Sequence, residues 1–145
     1  MAFRFPLESV LRVRESIERR EERALKKIQM EMARVSNQME ELSAGIARAQ
    51  GERNEALQQP MPASHLQAML SQTESAIAAR DKLQVTLRGL EEQRKQQLKI
   101  YQAAHRDHET LIDMRNQQRS EYLREQTRLE QKYLDDLFVA RRQRG

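Results

Sequence analysis

The stretch QQPMPAS, residues 58–64, decides how this chain folds. Pro60 and Pro62 lack backbone N–H donors, and each restricts the residue before it to extended conformations. Two prolines one residue apart cannot lie inside a helix. The chain therefore divides here, and the segments on either side are expected to be separate elements.

The boundaries of those elements follow from residues that favour helix ends. Ser64 followed by Gln67 fits a capping box that would open a second helix, and Pro6 lies where a first helical turn tolerates proline. The predicted elements of a single coiled-coil domain, residues 1–145, are a helix over about 6–58, a turn at 59–63 and a helix over about 64–141.

Composition supports long helices rather than a globular core. Charged residues make up 33% of the chain and aromatic residues 4%, with only four Gly and three Pro; this composition is typical of a coiled coil. The absence of Cys excludes disulfides, cysteine zinc sites and a thiol nucleophile. No apolar run approaches the ~20 residues of a membrane span. Glu8, Glu15 and Glu18 argue against a transit peptide, so a cytoplasmic protein is expected.

Both segments carry a stripe of residues in steps of three and four, which is the signature of a coiled-coil seam. In the first segment the stripe is Leu25, Ile28, Met32, Val35, Met39, Leu42, Ile46 and Ala49. Upstream, the same rhythm is predicted for Leu7, Val10, Arg14 and Ile17, with a phase slip near Glu21. In the second segment the stripe is Ala76, Arg80, Leu83, Leu87, Leu90 and Arg94, after which it becomes polar and patchy.

Folding the chain at residues 58–64 brings the two stripes together. Facing residues then have numbers that add up to about 122, so Met39 faces Leu83 and Val35 faces Leu87. Apolar residues meet apolar residues under this one rule. The predicted fold class is all-α: an antiparallel two-helix coiled-coil hairpin whose second helix extends beyond the first.

The three phenylalanines all fall near the open end of this hairpin. Phe3 and Phe5 precede the first helix, and Phe138 lies on the part of the second helix that has no partner in the chain. A single helix with apolar residues in water is poorly stabilised. We therefore expect these side chains to contact another protein rather than a core within the chain.

No constellation of catalytic residues is present, so we expect neither an enzyme nor a cofactor. The glycines are isolated and form no phosphate-binding loop. His105, His108 and Glu109 share a helix face at a spacing that can hold a metal, but the predicted register offers no ligand opposite them. We expect no metal and interpret the histidines as surface residues. Gly45 and Gly51 are interpreted as local looseness, with close approach of a partner as the alternative.

The net charge of +4 invites a nucleic-acid interpretation that the charge pattern does not favour. Arg and Lys alternate with Glu, as on a solvated helix surface with internal ion pairs. The stacking platforms of nucleic-acid-binding proteins are missing. We therefore expect no nucleic-acid partner.

Two blocks of the sequence resemble the flagellar FliJ family, a stalk-like component of the bacterial flagellar type III export apparatus. The block FRFPLESVLRVRE, residues 3–15, is similar to the opening of that family. The block EQKYLDD, residues 130–136, is similar to a later element, with Asp136 where the family more often has Glu. The resemblance extends over nearly the whole chain.

The resemblance implies a non-enzymatic stalk. Its open end would insert into the hexameric flagellar export ATPase, its body and tip would reach an export gate protein, and it would escort export chaperones. It would lie in the cytoplasm, peripheral to the cell membrane at the flagellar base, with no direct insertion into the membrane. The implied ATPase-ring contacts are Phe3, Arg4, Phe5, Leu134, Leu137, Phe138, Arg141 and Arg142, and the implied gate contacts are Gln38 and Leu42.

Two alternatives remain at this point. The chain would also suit the equivalent stalk of a virulence type III secretion injectisome, although residues 3–15 favour the flagellar branch. A generic cytoplasmic coiled-coil adaptor, with its unpaired helix bound in a partner's groove, is the other alternative.

Overall fold

The computed structural model describes residues 2–144, which form two long helices. Helix α1 is Glu8–Ala56 and helix α2 is Ala63–Arg144. The predicted all-α hairpin with a longer second helix is confirmed. The first helix begins two residues later than expected and ends two residues earlier.

The connection between the helices is built from short-range backbone hydrogen bonds. At the end of α1, the N–H of Gln58 donates to the carbonyl of Glu55 at 3.2 Å, and the N–H of Gln59 donates to that of Ala56 at 3.3 Å. These i to i+3 bonds tighten the last turn and satisfy carbonyls that a helix end would otherwise leave open. The prolines then follow directly.

Helix α2 begins one residue before the predicted cap. The carbonyl of Pro62 accepts hydrogen bonds from the N–H groups of His65 and Leu66, so Ala63 is the first helical residue. Ser64 lies inside the first turn, and the predicted capping box at Ser64 is wrong. The physical reason is that Pro62, although it cannot donate, still offers a carbonyl that starts the helical ladder.

The chain divides into two compact units, which are described separately. The unit Glu22–Ile100 contains the connection and the adjoining parts of both helices. Its buried residues are Leu25, Val35, Ile46 and Thr73. Thr73 is tolerated in this apolar core because its hydroxyl donates to the carbonyl of Met69, one turn earlier, at 3.1 Å.

The second unit combines residues up to Glu21 with residues from Tyr101 onward. Its buried side chains are Phe5, Leu11 and Ala104. Arg14 and Asp107 form an ion pair between the two helices at 3.4 Å, close to the predicted register.

Burial along α1 follows one heptad register without interruption. Its seam residues are Leu11, Glu18, Leu25, Met32, Met39, Ile46 and Arg53 in one set and Ile28, Val35, Leu42, Ala49 and Ala56 in the other. The phase slip predicted near Glu21 is therefore wrong. Val10 is 41% exposed whereas Leu11 is buried, because the seam continues through a charged residue, Glu18, rather than through the apolar neighbours on its flank.

Burial along α2 also keeps one register, from Leu66 to Tyr122. Its seam residues are Leu66, Thr73, Arg80, Leu87, Arg94, Tyr101, His108, Arg115 and Tyr122 in one set and Met69, Ala76, Leu83, Leu90, Gln97, Ala104, Leu111 and Gln118 in the other. After Arg94 the seam contains polar residues, as expected. The spacing of its half-buried positions nevertheless stays regular, so the stripe is not interrupted.

The outer surfaces of the helices carry ion pairs within single turns. Glu15 with Arg19 and Glu22 with Lys26 have the acid four residues before the base, the favoured order on a helix. Each such exposed pair contributes about 0.3–0.5 kcal/mol. None of the helices described over residues 2–144 combines the length and apolarity needed to cross a membrane.

Candidate partner-binding end

The N-terminal segment is anchored on α2 through its aromatic residues. Pro6 occupies the second position of a turn in which the N–H of Glu8 donates to the carbonyl of Phe5 at 3.2 Å. This turn directs the Phe5 side chain inward, where it is only 7% exposed. Phe3 packs at a tilt on Tyr122, with 5.6 Å between ring centroids.

The expectation that all three phenylalanines lie outside a core is wrong for Phe5. Phe5 is a core residue, and Phe3 is half-buried against Tyr122. The N-terminal aromatics are also not beside Phe138, because Tyr122 precedes Phe138 by a helical rise of ~24 Å. Sequence reasoning missed Tyr122 because it counted phenylalanines alone.

From Thr127 onward, α2 has no packing partner among residues 2–144. Every residue from Thr127 to Arg144 is exposed. Six of them are large apolar residues: Leu129, Tyr133, Leu134, Leu137, Phe138 and Val139. Such a density of exposed apolar residues is typical of surfaces that bind another protein.

Four of the sequence-predicted contacts, Leu134, Leu137, Phe138 and Arg141, are brought together on this segment. Leu134, Leu137 and Phe138 line one shallow groove with Asp135 and Arg141. Two further basic residues of the last turn, Arg142 and Arg144, lie exposed beside it. Arg4 is exposed near the N-terminal anchor. The predicted ring contacts thus form two separate groups on the same unit.

A polar cluster crosses the two helices closer to the body of this unit. The Glu18 side chain is 16% exposed, and each of its carboxylate oxygens accepts a hydrogen bond from a histidine. Nδ1 of His105 lies 2.9 Å from Oε1, and Nδ1 of His108 lies 2.5 Å from Oε2. His105 Nε2 also lies 3.3 Å from an oxygen of Glu109. We call Glu18, His105 and His108 the carboxylate clasp. Both ring nitrogens of His105 face carboxylates, so its cationic form makes both interactions.

The clasp shifts the pKa values of Glu18 and His105 in opposite directions. Burial by itself raises the pKa of Glu18, but the hydrogen bonds and charges of His105 and His108 outweigh it and lower that pKa below its ordinary value of 4.5. The hydrogen bond to Glu18 is the main cause that raises the pKa of His105 above 6.5, with a contribution from Glu109. The clasp therefore favours a charged acid and a charged base across the helices.

The clasp bears on the metal interpretation of the two histidines. Among residues 2–144, no group of three His, Asp or Glu side chains is arranged to hold a metal ion. The predicted register placed Arg14 and Ile17 opposite the histidines, whereas Arg14 meets Asp107 and Glu18 meets the histidines. Glu18 directly follows Ile17, and it was missed because sequence reasoning placed Ile17 rather than Glu18 on the seam.

A family model described as "Flagellar FliJ protein" matches residues 3–145. The chain belongs to the FliJ family. No curated protein and no solved structure matched it. The family is a non-enzymatic component of flagellar protein export, and this FliJ-family chain accordingly has an export-related function.

The residues that the FliJ resemblance assigned to the export gate lie in the other unit. Gln38 and Leu42 are both half-buried on α1, and Leu42 occupies a seam position. Only the edges of these side chains are available to another protein.

Proposed function

We propose that this FliJ-family chain is the stalk of the flagellar export ATPase and that residues 127–144 of α2 enter the ATPase ring. The observation that carries the proposal is the exposure of the whole segment together with its apolar content. A single helix of this kind is stabilised when a surrounding protein covers it. In the central hole of a ring of subunits, protein would surround this helix on all sides.

The charges of this segment fit such an insertion. Arg141, Arg142 and Arg144 form the last turn of the described helix, where cations also interact favourably with the helix dipole. Arginine binds carboxylates through two parallel hydrogen bonds. We propose that these arginines meet acidic loops of the ring while Leu134, Leu137 and Phe138 supply the apolar contacts.

The N-terminal aromatics have different roles in this proposal. Phe3 and Arg4 lie at the surface beside Tyr122 and form the rim of the ring contact. Phe5 acts indirectly, because its burial holds the N-terminal segment on α2.

We also propose that the unit Glu22–Ile100 reaches the membrane-embedded export gate, through the exposed edges of Gln38 and Leu42, and that the protein escorts export chaperones. It would work in the cytoplasm, peripheral to the membrane at the flagellar base. The family description, which names a flagellar protein, favours this system over a virulence injectisome.

The decisive experiment measures binding to the cognate export ATPase. A variant with Leu134→Ser, Leu137→Ser and Phe138→Ser should bind at least about tenfold more weakly, since buried apolar anchors dominate interfaces. A matched control is Val85→Ser, because Val85 and Phe138 are both 67% exposed but lie in different units. Equal binding by the triple variant and the control would remove the basis of the ring proposal.

Stimulation of ATP hydrolysis separates the stalk from a generic coiled-coil adaptor. The stalk should change the ATPase rate, and the triple variant should lose that effect while its helical content is retained. An adaptor would bind unrelated proteins through the same segment and leave the ATPase rate unchanged.

A further inference from the structure

The exposed segment of α2 has an internal symmetry in its sequence. Steps of three and four residues place one set on a common face: Thr127, Glu130, Leu134, Leu137, Arg141 and Arg144. Read in order, this face presents a threonine, an acid, two leucines and two bases. All members are exposed, and Leu134, Leu137 and Arg141 line the groove described above.

The same face read in the opposite direction is complementary to itself. If a second copy lies antiparallel, with Leu134 of one copy against Leu137 of the other, Glu130 falls opposite Arg141. The two-fold axis makes each of these contacts twice. The two leucine pairs would form a small apolar centre flanked at both ends by an acid–base pair, as in the seam of an antiparallel coiled coil.

The charges on this face are free to make such contacts. Neither Glu130 nor Arg141 has an ion-pair partner in the described part of the chain. By contrast, Arg128 on the opposite face bonds Glu125 at 2.6 Å. The apolar groove therefore coincides with an acid and a base that have no ion-pair partner among residues 2–144.

We propose that two copies of this protein pair antiparallel through residues 127–144, with reciprocal Leu134–Leu137 and Glu130–Arg141 contacts. A second copy is the occupant that the charge order favours, since an isologous contact requires a face that complements itself under reversal. Tyr133 and Phe138 would flank the leucine centre from its two sides.

The pairing is expected to be weak and concentration-dependent. The shared stretch spans ~27 Å, and helices of this length are marginal without cover. So short a contact belongs with transient interfaces, which bury less than about 1,200 Å². The same face is the one proposed to enter the ATPase ring. Competition between self-pairing and ring binding depends on the proposed function being correct. The self-pairing itself does not depend on it.

Charge reversal on the full-length chain tests the pairing directly. Sedimentation velocity over a concentration series should show a monomer–dimer equilibrium for the unsubstituted protein. Glu130→Arg alone or Arg141→Glu alone should raise the dimer dissociation constant about tenfold, because each places like charges opposite each other. The double variant should restore dimerisation, and an equimolar mixture of the two single variants should form a heterodimer.

The control is Lys132→Glu, a charge reversal on the opposite face of the same helix, which should leave the dimer unchanged. Circular dichroism should show equal helicity for all variants, since the substituted residues are exposed. The proposal is overturned if the unsubstituted protein stays monomeric throughout the series, or if the double variant is no better than the single ones. ATPase binding is measured separately. If the protein binds the ring but never dimerises, only the self-pairing is refuted. If the protein dimerises but does not bind the ATPase, only the ring proposal is refuted.

Discussion

Phe5 and Phe3 lie two residues apart and have different environments. The turn at Pro6 directs Phe5 into the core, where it is buried beside the start of α1, while Phe3 keeps one side exposed against Tyr122. The two aromatics therefore have separable effects on stability and on binding.

Replacing Phe5 with Ala should lower the free energy of unfolding by about 2 kcal/mol. This is less than the 3–5 kcal/mol of a central core phenylalanine, because a chain end can relax into the space. Phe3→Ala should cost only about 1 kcal/mol, in line with a single aromatic contact. Urea unfolding followed by circular dichroism measures both. A larger loss for Phe3 than for Phe5 would contradict their assigned environments.

The carboxylate clasp predicts a stability contribution that depends on pH. The raised pKa of His105 makes its contribution complete below about pH 6.5, and that contribution disappears as pH rises through the folded-state pKa. The lowered pKa of Glu18 makes its contribution complete above about pH 4.5, with loss as pH falls through the folded-state value. The clasp is therefore strongest between these two pH values.

Glu18→Gln should cost about 1 kcal/mol near pH 5.5, and this cost should shrink towards pH 8.5, because hydrogen bonds to charged groups are the stronger ones. Unfolding free energies of both proteins across this range provide the measurement. Glu15→Gln is a matched control: its exposed pair with Arg19 contains no histidine and should give a cost that is constant over the same range. A pH-independent cost for Glu18→Gln would exclude the clasp as described.

At the scale of the helices, glycines in helix interiors lower the stability of the protein relative to alanine. A Cβ added at Gly45, Gly51 or Gly89 would have no side-chain neighbour within 4 Å. Gly51→Ala should therefore raise the free energy of unfolding by up to about 1 kcal/mol through helix propensity and a more restricted unfolded chain. Thermal unfolding tests this, with Ala47→Gly, an exposed position on the same helix, expected to shift stability the other way.

The same variants test whether a partner needs close approach to these glycines. If Gly51→Ala stabilises the protein and leaves ATPase, gate and chaperone binding unchanged, the glycine marks local looseness. Loss of one binding activity with gained stability would assign it to that interface.

At the scale of the whole molecule, the exposed segment should be dispensable for folding. Deleting residues 127–145 removes no described buried side chain, so the midpoint of unfolding should stay nearly constant while helical content falls in proportion to length. Deleting residues 119–145 also removes Tyr122 and its contact with Phe3, and should lower the midpoint further. Similar midpoints for both deletions would mean that the Phe3–Tyr122 contact does not stabilise the fold.

The two units differ in how polar residues of their seams are paired. In Glu22–Ile100, Thr73 bonds the Met69 carbonyl and Arg80 pairs with Asp81, both within α2. In the other unit, Glu18 and His108 occupy seam positions at which they bond each other. Polar groups within a seam cost stability but fix register, because a shifted pairing would leave them without partners.

The sequence by itself determined the two helices, their junction and their approximate register. Two prolines at 60 and 62 end helices whatever surrounds them, and heptad spacing follows from the 3.6-residue turn. These are local properties of the backbone, so they can be read from one chain. The same reading placed Met39 and Leu83 on seam positions, where the structure has them.

Only the tertiary structure decided which flanking residues complete the seam. Periodicity alone favoured Val10 over Leu11, because it could not show that Glu18, two turns later, is acceptable in the interface once His105 and His108 face it. Likewise, Phe5 entered the core while Phe3 did not, since Phe5 opens the turn at Pro6 and Phe3 packs on Tyr122. Whether a polar group is stable at a buried position depends on the atoms opposite it, and those are set by the fold rather than by the neighbouring sequence.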